Sequence, residues 1–567
     1  MLNQKFTKSS VILILILLLA IFLRIYQLGD SPRGLHNDEV ANTYATKFIL
    51  LNGKDIYGNK LPLLFMDKFG DYPPILPMYL SGLGTLIFGN NEFGSRALIA
   101  VTGALLVIPV YLLSLLIFKK KETALFSAFI VAVTPVHMNL SRLNAEGIVA
   151  LTVFFSGLFF FLQSFFKSNK YFLIIGLVLL LSTYLIYPSY RILIPLILAP
   201  TIILAFYYKT DKLFKTILIS SIVLSFVLTL AISSTYWGKG RFEQTSILSP
   251  VSGVENKLQQ LIFNEKSIFV ARMFHNKIIG YGFEFIYQYL SYFSPNYIFG
   301  QEGIPLIYMA PYSGLLYFAL IPLFILSIIG YFQSKNKQIN HPIFIFVLYL
   351  MLLAPIPAAL TILDVPSIHR SLPFFILLIL VASYGYNSIA NLNVKKIPIK
   401  FLVFILLTGE LVFYFHNYFS HISIFTSVYR NDGNKEAMQY ILANQDKYDK
   451  VLVTNKELWL PTYYLFYKND YDPKYIGKFQ RNFRLPQVGN VSFVEHNCPS
   501  QLVTDNLRTK TIDISEKILV IDNIDCNPKQ GLFNWITSIK RLGETRAYEI
   551  YALNNEFLEE RLDQSIY

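Results

Sequence analysis

Charge is scarce in this chain. Only 15% of its 567 residues are Asp, Glu, Lys or Arg, against 54% hydrophobic and 16% aromatic, and the mean hydropathy is +0.45. That balance excludes an ordinary soluble protein of this length and describes a polytopic membrane protein. Cysteine is nearly absent: Cys498 and Cys526 are the only two, and no ligand spacing resembles a metal site. No Gly-rich phosphate loop of the P-loop or Rossmann type occurs, so no nucleotide site is expected. Neither an internal repeat nor a low-complexity tract is found. The net charge of +13 reads as topological bias plus a basic outer surface, not as a nucleic-acid footprint.

Long apolar runs are what the chain has in abundance. A span needs about 20 mainly apolar residues, and eleven runs qualify, near 10–28, 97–118, 123–140, 147–166, 171–190, 192–208, 216–234, 312–333, 342–362, 371–390 and 401–419. No small-residue cleavage site follows the first, and Arg24 interrupts its end, so it is expected to stay as an anchor. Lys5/Lys8, Lys119/Lys120/Lys121, Lys167/Lys170, Lys209/Lys212/Lys215, Lys335/Lys337 and Lys395/Lys396/Lys400 fall in alternate connections. The positive-inside rule puts these on the cytoplasmic side. The N-terminus is then cytoplasmic, and the loops at 29–96 and 235–311, the turn at 363–370 and everything after about 420 are extracytoplasmic.

The expected fold is an α-helical polytopic bundle over 1–420 with a small extracytoplasmic α/β domain over 421–567. In the latter, Lys450–Thr454 and Lys517–Asp522 read as short buried strands, and patches at 435–446 and 529–541 read as helices. Both cysteines lie here, as a disulfide or as two free thiols.

The candidate site residues lie at the outer ends of spans. Asp38-Glu39 follows the first run within Leu35-His36-Asn37-Asp38-Glu39-Val40. The next residues, to Gly53, have the spacing of an amphipathic surface helix that stops at the glycine. Asn37 or Asp38 would cap it, and capping alone is the competing explanation for Asp38. Asp67-Lys68-Phe69-Gly70-Asp71-Tyr72-Pro73-Pro74 leads into a short apolar run, Ile75 to Phe88, expected to form a second surface or re-entrant helix. Glu92 and Arg96 stand four apart at the start of the second span, and Arg142 and Glu146 four apart between the third and fourth, each a possible pair on one helical face. Tyr187-Pro188-Ser189-Tyr190-Arg191 and Ser367-Ile368-His369-Arg370-Ser371 add two more arginines. Together these cations suit an anionic headgroup.

In the order and sidedness of these motifs the chain resembles the GT-C membrane glycosyltransferases. It is most similar to the branch of protein O-mannosyltransferases and lipid A aminoarabinose transferases (glycosyltransferase family 39), over residues 1–420. The resemblance implies transfer of a sugar from a polyprenyl-phosphate carrier to an acceptor hydroxyl of a protein, lipid or glycan on the outer face. Asp38 would be the general base. Lys68, Asp71, Arg142, Arg191, His369 and Arg370 would bind the substrate and its departing phosphate. Glu39 and Glu146 would orient the acceptor or tune Asp38, and Asp38 with Glu146 would hold any divalent cation. Many relatives carry a lysine directly before the Pro-Pro pair, where this chain has Tyr72, and Lys68 is expected to substitute. Like-charged neighbours would raise the pKa of one carboxylate. Two rivals of other classes are a flippase or secondary transporter and a ligand-binding scaffold. Span centres nearly free of charge argue against the transporter.

Overall fold

The computed structural model describes residues 8–68, 72–333, 339–388, 399–456, 458–480, 484–508, 513 and 515–558. Eight of its helices are long and apolar enough to cross a membrane: Lys8–Ile25, Glu92–Phe118, Glu146–Ser164, Tyr190–Tyr207, Lys212–Ser234, His341–Ala359, Ile368–Tyr386 and Phe401–Phe425. A ninth is Lys121–Val133 plus Pro135–Ser141, bent by 51° where Pro135 deprives the helix of a backbone donor. The two remaining runs of the expected eleven form shorter apolar helices, Lys170–Leu185 and Leu320–Phe332. A proline follows soon after the first of these, and Leu320–Phe332 starts well inside its apolar run.

The chain divides into two compact units. The first comprises Met1–Tyr26, Asp71–Pro77 and Ile99–Tyr418, and the second Gln27–Gly70, Met78–Leu98 and Phe419–Tyr567. Residues 27–70, assigned from sequence to the membrane module as its outer loop, thus pack with the C-terminal segment.

The first unit is helical, and its interior holds fully buried arginines. Arg24 donates to the carbonyls of Ala20 at 3.0 Å and Ala132 at 2.9 Å, and pairs with His137 Nδ1 at 2.5 Å. A guanidinium without such acceptors would carry a desolvation cost of several kcal/mol, on the order of that for any buried ion.

In the second unit six strands form one mixed sheet, ordered β2-β3-β1-β4-β6-β5. They are β1 (Lys450–Thr454), β2 (Gln487–Val488), β3 (Val491–Val494), β4 (Ile518–Asn523), β5 (Phe533–Lys540) and β6 (Arg546–Leu553). β1 runs parallel to β3 and β4, connections that need crossover helices; Leu460–Lys468 and Pro499–Arg508 supply them. The helix expected over 529–541 is a strand. Phe533, Trp535, Thr537 and Ile539 alternate along it and pair antiparallel with β6, and such aromatic and β-branched alternation outweighs a helical reading. Cys498 and Cys526 form a disulfide.

The helix Asn37–Asn52 is the centre of this unit. Its eleven consecutive residues Glu39–Ile49 are buried, so it is an interior element and not the amphipathic surface helix expected. Gly53 ends it in the left-handed conformation, as its position suggested. Helix Tyr79–Phe88 crosses it closely at Gly82, where a Cβ would come within 2.8 Å of the Lys47 amide nitrogen.

Candidate active site

The start of the Asn37–Asn52 helix separates the two acids. His36 is the N-cap, not Asn37 or Asp38: its Nδ1 accepts from the Asp38 amide at 3.3 Å, and its own amide donates to Glu39 Oε2 at 2.9 Å. This reciprocal capping box uses Glu39. Asp38 is left out of it, with 52% of its side chain exposed.

Lys68 Nζ lies 2.7 Å from Asp38 Oδ1 and 3.1 Å from Asn42 Oδ1, and is itself only 8% exposed. Protein rings the Asp38 carboxylate and opposes its charge, but Lys68 outweighs that and holds it down at about 2. The expectation that a like-charged neighbour would raise it fails, because each acid faces cations of its own. Burial lowers the His36 imidazole, with Asp38 opposing and Arg430 assisting. A neutral ring is what the cap requires, since Nδ1 must keep its lone pair.

Glu39 is 4% exposed. Burial opposes its charge, yet Arg430 and Arg96 hold it well below the usual carboxylate range. Arg96 Nε lies 2.8 Å from Oε1, and Arg430 reaches Oε2. Arg96 also donates to the carbonyls of Leu28, Pro32 and Gly34. Glu39, expected to act in catalysis, is thereby committed to holding the loop 28–39. The Glu92/Arg96 pair expected from spacing is redistributed: Glu92 takes Lys435 at 3.0 Å and the Tyr467 hydroxyl at 3.1 Å. Tyr463 adds a hydroxyl donated to the Leu35 carbonyl.

The other candidates belong to the first unit. Arg142 ends the helix Pro135–Ser141 and Glu146 begins the next, with Ala145 extended between them, so they do not share one helical face as expected. Arg142 is fully buried, donating to the Leu23 carbonyl at 2.6 Å and to Tyr418 Oη at 3.1 Å. That is a structural placement, not an open phosphate contact. Glu146 and Arg370 both act electrostatically on Tyr187, together with Arg241 and Asp364, and Arg241 acts on Arg191 as well. Arg191 is 8% exposed, its Nε on the Tyr184 carbonyl. Arg370 donates to Thr361 Oγ1 at 3.1 Å. The His369 ring stands edge-on to Tyr308, with centroids 4.6 Å apart, and its backbone packs on Gly147. Asp71 lies outside the described residues. Among the described residues no group of three or more His, Cys, Asp or Glu is arranged to hold a metal ion. Asp38 and Glu146, the pair expected to do so, belong to different units.

Sequence reasoning missed Arg430, Tyr463 and the true role of Arg96. Nothing local marks the first two, since each acts on residues about 400 positions earlier.

A family model described as dolichyl-phosphate-mannose-protein mannosyltransferase matches residues 71–237. Among solved structures the chain is similar to ArnT from Cupriavidus metallidurans bound to undecaprenyl phosphate. The TM-score is 0.52 and the identity 11%, covering 96% of this chain and 97% of that one. It is also similar to the Archaeoglobus fulgidus oligosaccharyltransferase in the apo form, with a TM-score of 0.48 and 14% identity over 91% of this chain and 70% of that one. No curated protein matches the chain in sequence. The chain thus shares the fold of ArnT, and its family-model match is confined to residues 71–237.

Proposed function

We propose that this protein transfers a sugar from a polyprenyl-phosphate carrier to an acceptor hydroxyl on the outer face of a prokaryotic plasma membrane, with inversion at the anomeric carbon. The N-terminus is cytoplasmic and the C-terminal domain extracytoplasmic in this reading. The observation that carries it is Asp38: an ionised, half-exposed carboxylate, released from capping duty by His36 and paired with Lys68, in a chain of the GT-C fold.

In the proposed reaction Asp38 takes the proton of the acceptor hydroxyl as its oxygen bonds to the anomeric carbon. The bond from that carbon to the phosphate oxygen breaks, and the carrier leaves as polyprenyl phosphate. Arg191 and Arg370 are proposed to hold the charge that develops on the phosphate. A carboxylate held at about 2 is ionised at any working pH but weakly basic. Lys68 resolves this if it turns from Asp38 to the donor phosphate, since loss of its counter-ion raises the basicity of Asp38 when donor is present. Asp71, His369 and Glu146 are proposed to orient the sugar and acceptor. A divalent cation would supply further charge at the phosphate; the residues proposed for it, Asp38 and Glu146, make no assembled ligand set among the described residues. The acceptor is a protein, lipid or glycan.

The test is release of polyprenyl phosphate by purified protein offered a panel of polyprenyl-phosphate sugars. Release from one donor is expected; none from any donor, by protein shown to be folded, would overturn the proposal and move attention to movement of lipid-linked sugars.

A further inference from the structure

We propose that Arg430 is a positioning residue for Asp38, so that the segment after the last apolar helix sets the geometry of the acidic loop. Its kinetic consequence rests on the reading of Asp38 given under Proposed function; its structural consequence does not.

The contacts form a continuous strap within the second unit. Arg430 is fully buried and donates to the Gly34 carbonyl at 3.2 Å and to Glu39 Oε2. Its own carbonyl sits over Gly34, which has φ +78°; a Cβ there would come 2.9 Å from that oxygen. Gly34 thus allows both the left-handed turn and the close approach of two backbones. Two residues on, Asp432 is 3% exposed and takes Arg33 Nε at 3.1 Å from the same loop, while its Oδ2 accepts the Leu542 amide at 2.6 Å beside the β5–β6 turn. Asn434 accepts the hydroxyl of Tyr548 on β6 at 2.6 Å. The strap 430–434 is therefore pinned to the sheet on one side and to residues 33–39 on the other.

Glu39 is the link to Asp38. It is the adjacent residue, and its carboxylate closes the capping box on the His36 amide. Arg430 fixes that carboxylate from one side and Arg96 from the other, so the first helical turn, and Asp38 on it, is held through Glu39. Removing the Arg430 side chain leaves Glu39 with one guanidinium and frees the Gly34 carbonyl. The expected result is a loosened loop on an otherwise intact sheet.

The experiment compares Arg430→Met, Arg430→Lys and Gly34→Ala with wild type by amide hydrogen exchange and by donor turnover. Gly34→Ala disturbs the same contact from the other side and keeps every charge, which covers the case in which Arg430→Met does not fold. The proposal expects exchange at residues 33–40 to quicken by about tenfold or more in Arg430→Met and Gly34→Ala, with β1 and β4 unchanged. It expects kcat to fall by roughly 10²-fold at unchanged donor KM, as for a misplaced catalytic group, and Arg430→Lys to recover part of both. Exchange at 33–40 that stays at the wild-type rate, or that rises equally across the sheet, overturns it. Should wild type release no polyprenyl phosphate from any donor, the reaction assignment falls while the exchange data still decide whether Arg430 orders the loop.

Discussion

Replacing Glu39 by Gln separates a structural acid from a catalytic one. The Glu39 carboxylate is buried between Arg96 and Arg430, so the amide leaves two desolvated guanidinium groups without a counter-charge. Breaking a buried ion pair in this way costs about 3–5 kcal/mol. In a unit of roughly two hundred residues each kcal/mol moves Tm by about 2–4 °C, so the expected fall is roughly 6–20 °C. Trp459 and Trp535, two of the three tryptophans in the chain, lie in this unit, so intrinsic fluorescence on heating in detergent follows its unfolding. A Glu39→Gln protein with wild-type Tm and no transfer would refute the reasoning, because Glu39 would then act on substrate and not on the loop.

Four further outcomes follow from the same geometry. Arg370→Gln is expected to raise donor KM at little cost in Tm, because Arg370 is only partly buried. Arg142→Met is expected to lower Tm by removing the partner of Leu23 and Tyr418; the reverse pattern, read by kinetics and melting, would exchange the two roles. Lys68→Met is expected to bring Asp38 back up from about 2 toward its ordinary 3.8. The pair's stabilisation is present above the ordinary value and is lost as pH falls toward 2. The variant should therefore show a smaller loss of Tm than wild type across that window, and equal losses would count against the pairing. Converting Cys498 and Cys526 to serine opens a loop with a sequence separation of 28, which is expected to destabilise the second unit by roughly 3–4 kcal/mol, seen as a lower tryptophan-detected Tm that reductant no longer shifts.

Much of the fold was legible in the sequence because hydrophobic runs and strand alternation are local signals. All eleven apolar runs form helices, and β1 and β4 stand where Val451-Leu452-Val453 and Leu519-Val520-Ile521 place them. Span length was less legible: a run such as 171–190 is apolar throughout, but its helix stops near Pro188. The 529–541 segment was misread because Trp535 and Ile539 fit either period, and pairing with β6 decided between them. For the site, type and position pointed to Asp38, and Gly53 was correctly read as a helix stop. The loop's scaffold was hidden. His36 as N-cap is unusual for its residue type, and the hold of Arg430 on Glu39 spans 391 positions, beyond the reach of any local pattern.

The central claim is that Asp38 takes the acceptor's proton, and polyprenyl phosphate release by wild type and Asp38→Asn in one assay, with both Tm values, tests it most directly. His36 keeps the cap, and Asn at 38 together with Asn42 Oδ1 still offers acceptors to the buried Lys68 ammonium, so the variant should stay folded with only a modest fall in Tm. Its transfer rate should fall by about 10²- to 10⁴-fold, the usual contribution of a general base. An Asp38→Asn protein that transfers at the wild-type rate would contradict the account.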